Sequence, residues 1–228
     1  MAYFLLEGGA EFGGRMSEAD GRAMELAGGP QSPLVILPTA AAPDQNHLRA
    51  GRNGQHWFES LGASRVGVVP VIDQESANDP ALAGLVKSAH LIYLLGGFPH
   101  YLCETLRDSR VWLAALEAQR SGAVIGGSSA GAMVLCGQYY DPGEKKLLRG
   151  LGLLEDICIL PHHDRFGRNW ASQLRSRIPQ VTLLGIDEQT GIINEVSDRV
   201  WSVYGAGLIT LYRGEQIEVH ASGERFRL

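Results

Sequence analysis

The chain has 228 residues, 45% of them hydrophobic, and a formal net charge of -5. That size suits a single α/β domain, residues 1–228, with a sizeable core. The acidic balance and the lack of a long basic run argue against a nucleic-acid surface. No segment has the length and apolarity of a membrane span, and the apolar run Ala2–Glu7 is too short and unflanked to be a targeting signal. Cys103, Cys136 and Cys158 are an odd count without metal-like spacing, which fits buried free thiols in a reducing cytoplasm.

Residues 2–7 read as a first strand, followed by the loop Gly8-Gly9-Ala10-Glu11-Phe12-Gly13-Gly14. Its two glycine pairs suit either a mobile turn or a close backbone approach to a ligand. Residues 17–27 suit a helix with Ser17 as N-cap and Gly28-Gly29 as its stop. A buried strand spans 33–38, a helical pattern 45–61 and a third strand 65–71, followed by a helix near 79–88. The fourth strand, 90–95, ends in Gly96-Gly97-Phe98-Pro99, and helical segments near 99–107 and 110–120 follow. Residues 138–152 are polar, with a turn at Asp141-Pro142-Gly143. A strand at 156–160 leads into Pro161-His162-His163-Asp164, a polar arginine-bearing helix follows, and a strand at 181–186 leads into Asp187-Glu188. From residue 191 the rhythm changes to short strands, 191–195, 199–204, 207–212 and 216–220, which suit an antiparallel extension on one sheet edge. The earlier alternation predicts a mostly parallel sheet with helices on both faces.

The most informative stretch is Ala123-Val124-Ile125-Gly126-Gly127-Ser128-Ser129-Ala130-Gly131. An apolar strand runs into a small-residue turn that fits G-x-S-x-G centred on Ser129, and a helical run follows. A serine on such a bend has a strained backbone and tolerates only small neighbours. Its hydroxyl is exposed, and amides at the start of the helix are aimed at a developing oxyanion.

In open parallel sheets ligands bind beyond the carboxyl ends of the strands. Four clusters fall at such ends: Gly96-Gly97, Gly127-Ser128-Ser129, His162-His163-Asp164 and Asp187-Glu188. A serine hydroxyl needs a base, histidine titrates in the right range, and a carboxylate fixes the imidazole. The two histidines point to opposite faces if the strand continues, so one at most faces Ser129. Asp187 and Glu188 divide in the same way, and Asp141, Glu144 and Asp164 are rival carboxylates. The amides of Gly97 and Ala130 suit an oxyanion hole; Arg165 and Arg168 are either solvated helix charges or supply, through one of them, a bidentate clamp on a substrate carboxylate. Three consecutive residues at 162–164 do not converge on one ion, and no Walker or dinucleotide fingerprint occurs, so no metal or cofactor is expected.

Taken together, Leu94-Leu95-Gly96-Gly97, Gly127-Ser128-Ser129-Ala130-Gly131-Ala132, Pro161-His162 and Gly185-Ile186-Asp187-Glu188-Gln189-Thr190 make the chain resemble the aspartyl dipeptidase (dipeptidase E) and cyanophycinase family of serine peptidases. The resemblance covers about residues 30–212. It implies a three-layer α/β/α sandwich similar to class I glutamine amidotransferases, with Ser129 as nucleophile, His162 as base, Glu188 as orienting carboxylate and the amides of Gly97 and Ala130 as oxyanion donors. It further implies a cytoplasmic hydrolase of small peptides, with α- or β-linked aspartyl dipeptides as the expected substrates. The antiparallel tail suits either covering a sheet edge or pairing with another subunit, so a monomer or homodimer is expected. Cyanophycinases carry Gln before the histidine and an arginine-rich segment after it. Pro161 stands there instead, and Arg165 and Arg168 match only in part, so β-Asp-Arg hydrolysis is the alternative. A non-catalytic relative that binds a small ligand is another. An amidotransferase-like domain is disfavoured because the elbow has no cysteine and Cys136 lies two turns into the helix.

Overall fold

The computed structural model describes residues 2–197 and 199–228. Through residue 94 the chain lays down β1 (Tyr3–Glu7), α1 (Met16–Leu26), β2 (Leu34–Leu37), α2 (His47–Ser60), β3 (Val66–Val68), α3 (Gln74–Ala77), α4 (Pro80–Lys87) and β4 (Leu91–Leu94). The middle of the chain forms α5 (Pro99–Leu106), α6 (Arg110–Arg120), β5 (Val124–Ser128), α7 (Ala130–Val134), β6 (Gln138–Asp141), β7 (Lys146–Arg149) and β8 (Ile157–Leu160). Then come one π-helical turn (His163–Gly167), α8 (Arg168–Arg177), β9 (Thr182–Ile186), β10 (Thr190–Ser197), β11 (Val200–Gly205), β12 (Leu208–Arg213), β13 (Gln216–Ala221) and β14 (Arg225–Arg227).

The large sheet runs β14-β11-β10-β1-β5-β4-β2-β3, and its five strands from β1 to β3 are mutually parallel. Alternation along those strands builds the layers. Phe4 and Leu6, Val35 and Leu37, Ile92 and Leu94, and Ile125 face one core with α5, α6 and α7. Leu5, Leu34, Ile36, Leu91, Tyr93 and Val124 face the other, against Met16, Ala19 and Ala23 of α1 and Phe58 of α2. Strands buried on both faces read as continuous apolar runs, which is why these were visible in the sequence.

Three details depart from expectation. Strands β8 and β9 do not join the large sheet; with β12 and β13 they form a separate sheet of order β13-β12-β9-β8. Ile157, Ile159, Leu184 and Ile186 turn one face of it toward the main core, and Cys158, Leu160 and Leu183 pack the other face with Ala171 and Leu174 of α8. The tail therefore divides: β10 and β11 extend the large sheet, while β12 and β13 extend the second. The stretch 138–152 contains a β6–β7 hairpin, with Asp141 Oδ1 accepting from the Glu144 amide at 2.7 Å across the turn. Ser17 is not the cap of α1, because the helix begins one residue earlier with Arg15 in the cap position and no side-chain cap. Among the described residues no helix is long and apolar enough to cross a membrane.

Candidate active site

Ser129 sits between β5 and α7 with φ 48° and ψ -112°, a conformation that costs a non-glycine residue on the order of 1–3 kcal/mol. Its neighbours make the bend possible. A Cβ on Gly127 would lie 2.5 Å from the Gly131 carbonyl carbon, and one on Gly131 would lie 2.1 Å from the Leu94 carbonyl oxygen. The Ser129 amide donates to the Glu7 carbonyl at 3.0 Å, which ties the bend to the end of β1.

His162 follows β8. It is left-handed (φ 45°, ψ 44°) and opens the π-helical turn. Its Nε2 lies 3.1 Å from Ser129 Oγ, and its Nδ1 lies 2.8 Å from Glu188 Oε1. Both are hydrogen-bond distances. With the proton on Nδ1, the ring donates to Glu188 and accepts from Ser129. The ring stacks on Phe166, centroids 5.0 Å apart.

The bend at His162 sends the next side chain the other way. His163 is buried, with Nε2 2.9 Å from Tyr212 Oη and Nδ1 3.4 Å from Asp187 Oδ1. Burial holds its imidazole below the usual range, against the Asp187 charge that raises it. Asp187 Oδ2 accepts from the Leu208 amide at 2.9 Å, so this carboxylate anchors the second sheet, and Asp164 Oδ1 accepts from the Glu188 amide at 2.9 Å. Glu144 lies 3.5 Å from Lys146 in the hairpin.

The two arginines divide. Arg165 is 66% exposed, and its Nε lies 3.4 Å from Glu188 Oε2 and 3.7 Å from Asp164 Oδ2. Arg168 is exposed on α8, close enough to His163 and Tyr212 to affect their protonation, and forms no ion pair among the described residues. No contact brings either side chain to Ser129. On the β4 side, Gly97 has φ +139°, and a Cβ there would lie 2.2 Å from the Ala40 carbonyl oxygen. Ala130 is the first residue of α7, where amides have no intrahelical acceptor.

The glycine-rich loop after β1 is part of the site. The His162 amide donates to the Gly8 carbonyl at 2.7 Å, and the Gln189 amide donates to the Gly9 carbonyl at 3.0 Å. Gly9 has φ +115°, and a Cβ there would lie 2.2 Å from His162 Cε1. Sequence reasoning noted the glycines but missed Glu11, whose Oε2 accepts from Ser128 Oγ at 2.9 Å. Below the bend, Glu7 and Asp20 are both fully buried. Tyr93 Oη donates to Glu7, and Trp57 Nε1 donates to Asp20 Oδ2 at 2.7 Å. Burial raises the Glu7 carboxyl well above its usual range and pushes Asp20 up to about 7. Among the described residues no cluster of side chains suits a metal ion.

The sequence profile of peptidase family S51 matches residues 4–198. The chain belongs to peptidase family S51. Members of the family are peptidases, so membership places it among hydrolases. The cyanophycinase of Geminocystis herdmanii (strain PCC 6308) is 26% identical over 233 residues, covering 96% of this chain and 84% of its own length. Among solved structures, a peptidase from an acI-B1 Actinobacterium has a TM-score of 0.88 at 28% identity, covering 100% of this chain and 97% of that one. A protein named as a peptidase E, from Listeria monocytogenes EGD-e, shares the fold with a TM-score of 0.62 at 18% identity, covering 96% of this chain and 98% of its own. The α/β architecture, mostly parallel around Ser129 and antiparallel at its C-terminal strands, is thus that of the S51 peptidases, similar to class I glutamine amidotransferases.

Proposed function

We propose that the protein is a serine peptidase of small peptides, with α- or β-linked aspartyl dipeptides as substrates. The observation that carries this reading is the hydrogen-bonded series Ser129 Oγ, His162, Glu188, at 3.1 and 2.8 Å. His162 Nε2 takes the hydroxyl proton as Ser129 Oγ attacks the carbonyl carbon. Glu188 holds the imidazole in the productive tautomer and steadies the imidazolium. The amides of Gly97 and Ala130 receive the negative charge on the carbonyl oxygen; in known hydrolases one such donor is worth about 3 kcal/mol. The imidazolium then protonates the leaving amine, the C–N bond breaks, and an acyl-enzyme ester remains. Water, deprotonated by His162, cleaves that ester and restores Ser129.

A serine-directed phosphonate is expected to label wild-type protein at Ser129, and Ser129→Ala is expected to lose both the label and about 10⁴-fold or more of kcat. Wild-type turnover in that variant removes the reading. The cyanophycinase relative supports a second one, hydrolysis of β-Asp-Arg units. Release of β-Asp-Arg from cyanophycin in place of turnover on aspartyl dipeptides would select it.

A further inference from the structure

A cleft opens next to the Ser129 bend. Its volume is about 280 Å³, and Glu11, Asn46, Arg49, Asn53, Gly96 and Gly97 are among the residues that line it; Ser129, His162 and Glu188 are not. That volume lies at the small end of ligand sites, room for a single residue and its side chain.

Glu11 brings a negative charge to its inner end. The point where a Gly96 Cβ would sit is 3.3 Å from Glu11 Oε1 and 3.3 Å from Ser129 Cβ, so the carboxylate and the nucleophile flank the same glycine. Glu11 is half-buried, its Oε2 is held by Ser128 Oγ at 2.9 Å, and it forms no ion pair among the described residues. An uncompensated anion there opposes the oxyanion that acyl transfer creates. A cation delivered by the substrate removes that opposition.

Helix α2 contributes Arg49 to the lining, flanked by Asn46 and Asn53. These positions are three and four residues apart, which puts them on one helical face. Arg49 is exposed and forms neither an ion pair nor a side-chain hydrogen bond among the described residues. The cleft thus offers an anion near the nucleophile and, from α2, an unpaired guanidinium. Asp44 also lines it and is exposed.

We infer that this cleft binds the acyl-side residue of the substrate, with Glu11 holding a free α-ammonium and Arg49 the carboxylate of an acidic residue. This rests on the serine-peptidase reading, in which His162 protonates the leaving amine. The leaving group therefore lies on the His162 side, and the acyl residue takes the side lined by Gly96 and Gly97. An N-terminal aspartyl residue, α- or β-linked, carries both charges. An ammonium meets a carboxylate through charge-assisted hydrogen bonds, and a guanidinium meets a carboxylate through two.

Binding of L-aspartyl-L-alanine, its N-acetyl form and L-asparaginyl-L-alanine to full-length Ser129→Ala protein tests this by calorimetry. Ser129→Ala protein is expected to prefer the free amine over the acetylated form, and Asp over Asn, each by about 10- to 100-fold. Adding Glu11→Gln, which keeps the side chain's size, is expected to remove the first preference and spare the second. Adding Arg49→Gln is expected to do the reverse, and Asp44→Asn to alter neither. Thermal unfolding checks that each variant is folded. No binding, a preference that survives its variant, or an amine preference lost through Asp44→Asn overturns the inference. Failure of the peptidase reading has a different signature: wild-type protein that binds the dipeptide without releasing aspartate.

Discussion

The two flanks of Ser129 are built on different principles. On the His162 flank the polar groups are joined in series: Ser129 Oγ meets His162, His162 meets Glu188, and Glu188 meets Arg165 and, through its amide, Asp164. On the Glu11 flank, Glu11 and Arg49 line one cleft and form no ion pair with each other or with any other described residue, Glu11 being held only by the Ser128 hydroxyl. A closed network fixes geometry before substrate arrives, whereas unpaired charges beside a cavity are vacancies in charge balance that a ligand completes. The first flank is suited to moving a proton and the second to choosing what is bound.

The sharpest way to disturb the closed flank without touching its side chains is Gly9→Ala. At φ +115° and with the new Cβ 2.2 Å from His162 Cε1, the ring must move. A fall in kcat of about 100-fold is expected in steady-state assays, since a displacement near 1 Å costs that much in positioned catalysis. Gly13→Ala is the control, because nothing lies within 4 Å of its Cβ position. A Gly9→Ala enzyme as active as the control would show that His162 is not held by this loop. A smaller effect is expected for Arg165→Ala. Its ion pair with Glu188 is 3.4 Å long, and Arg165 is 66% exposed, so a change of no more than about fivefold in kcat/KM is expected. A loss comparable to that of Gly9→Ala would make Arg165 a positioning residue.

The smallest expected effect on turnover lies beneath the bend. Asp20 is pushed up to about 7 by burial, from an ordinary value of 3.8. A folded-state carboxyl raised in this way binds its proton more tightly than the unfolded chain does. Stability is then full below the unfolded value and declines as pH rises between about 4 and 7. Asp20→Asn removes that titration and keeps the Trp57 hydrogen bond. Its thermal midpoint is expected to fall less between pH 4 and 7 than that of wild type, and parallel curves would exclude a proton held at Asp20 in the folded state.

Legibility in the sequence followed the same division. The Ser129 bend is readable because its constraint is steric: only glycine fits at 127 and 131, where a Cβ would meet neighbouring backbone. Resemblance to a family singles out His162 and Glu188 from rival histidines and carboxylates, while spacing alone leaves them open. The left-handed turn at His162, which sends His163 into the second sheet, has no signature in residue type. The second sheet itself was hidden because β8 and β9 are parallel and buried on both faces, and in sequence they look like members of the first. Glu11 and Arg49 come from a loop and a helix 38 positions apart, and only the folded chain shows that they share a cleft.

Ser129 is carried by the large sheet, while His162 and Glu188 follow strands of the smaller one. The seam between them is closed by backbone bonds at Gly8 and Gly9, to residues 162 and 189. Turnover is therefore a gauge of how the two halves are seated. A slip of the smaller half along that seam is expected to silence the enzyme while leaving the hydrogen bonds within each sheet intact.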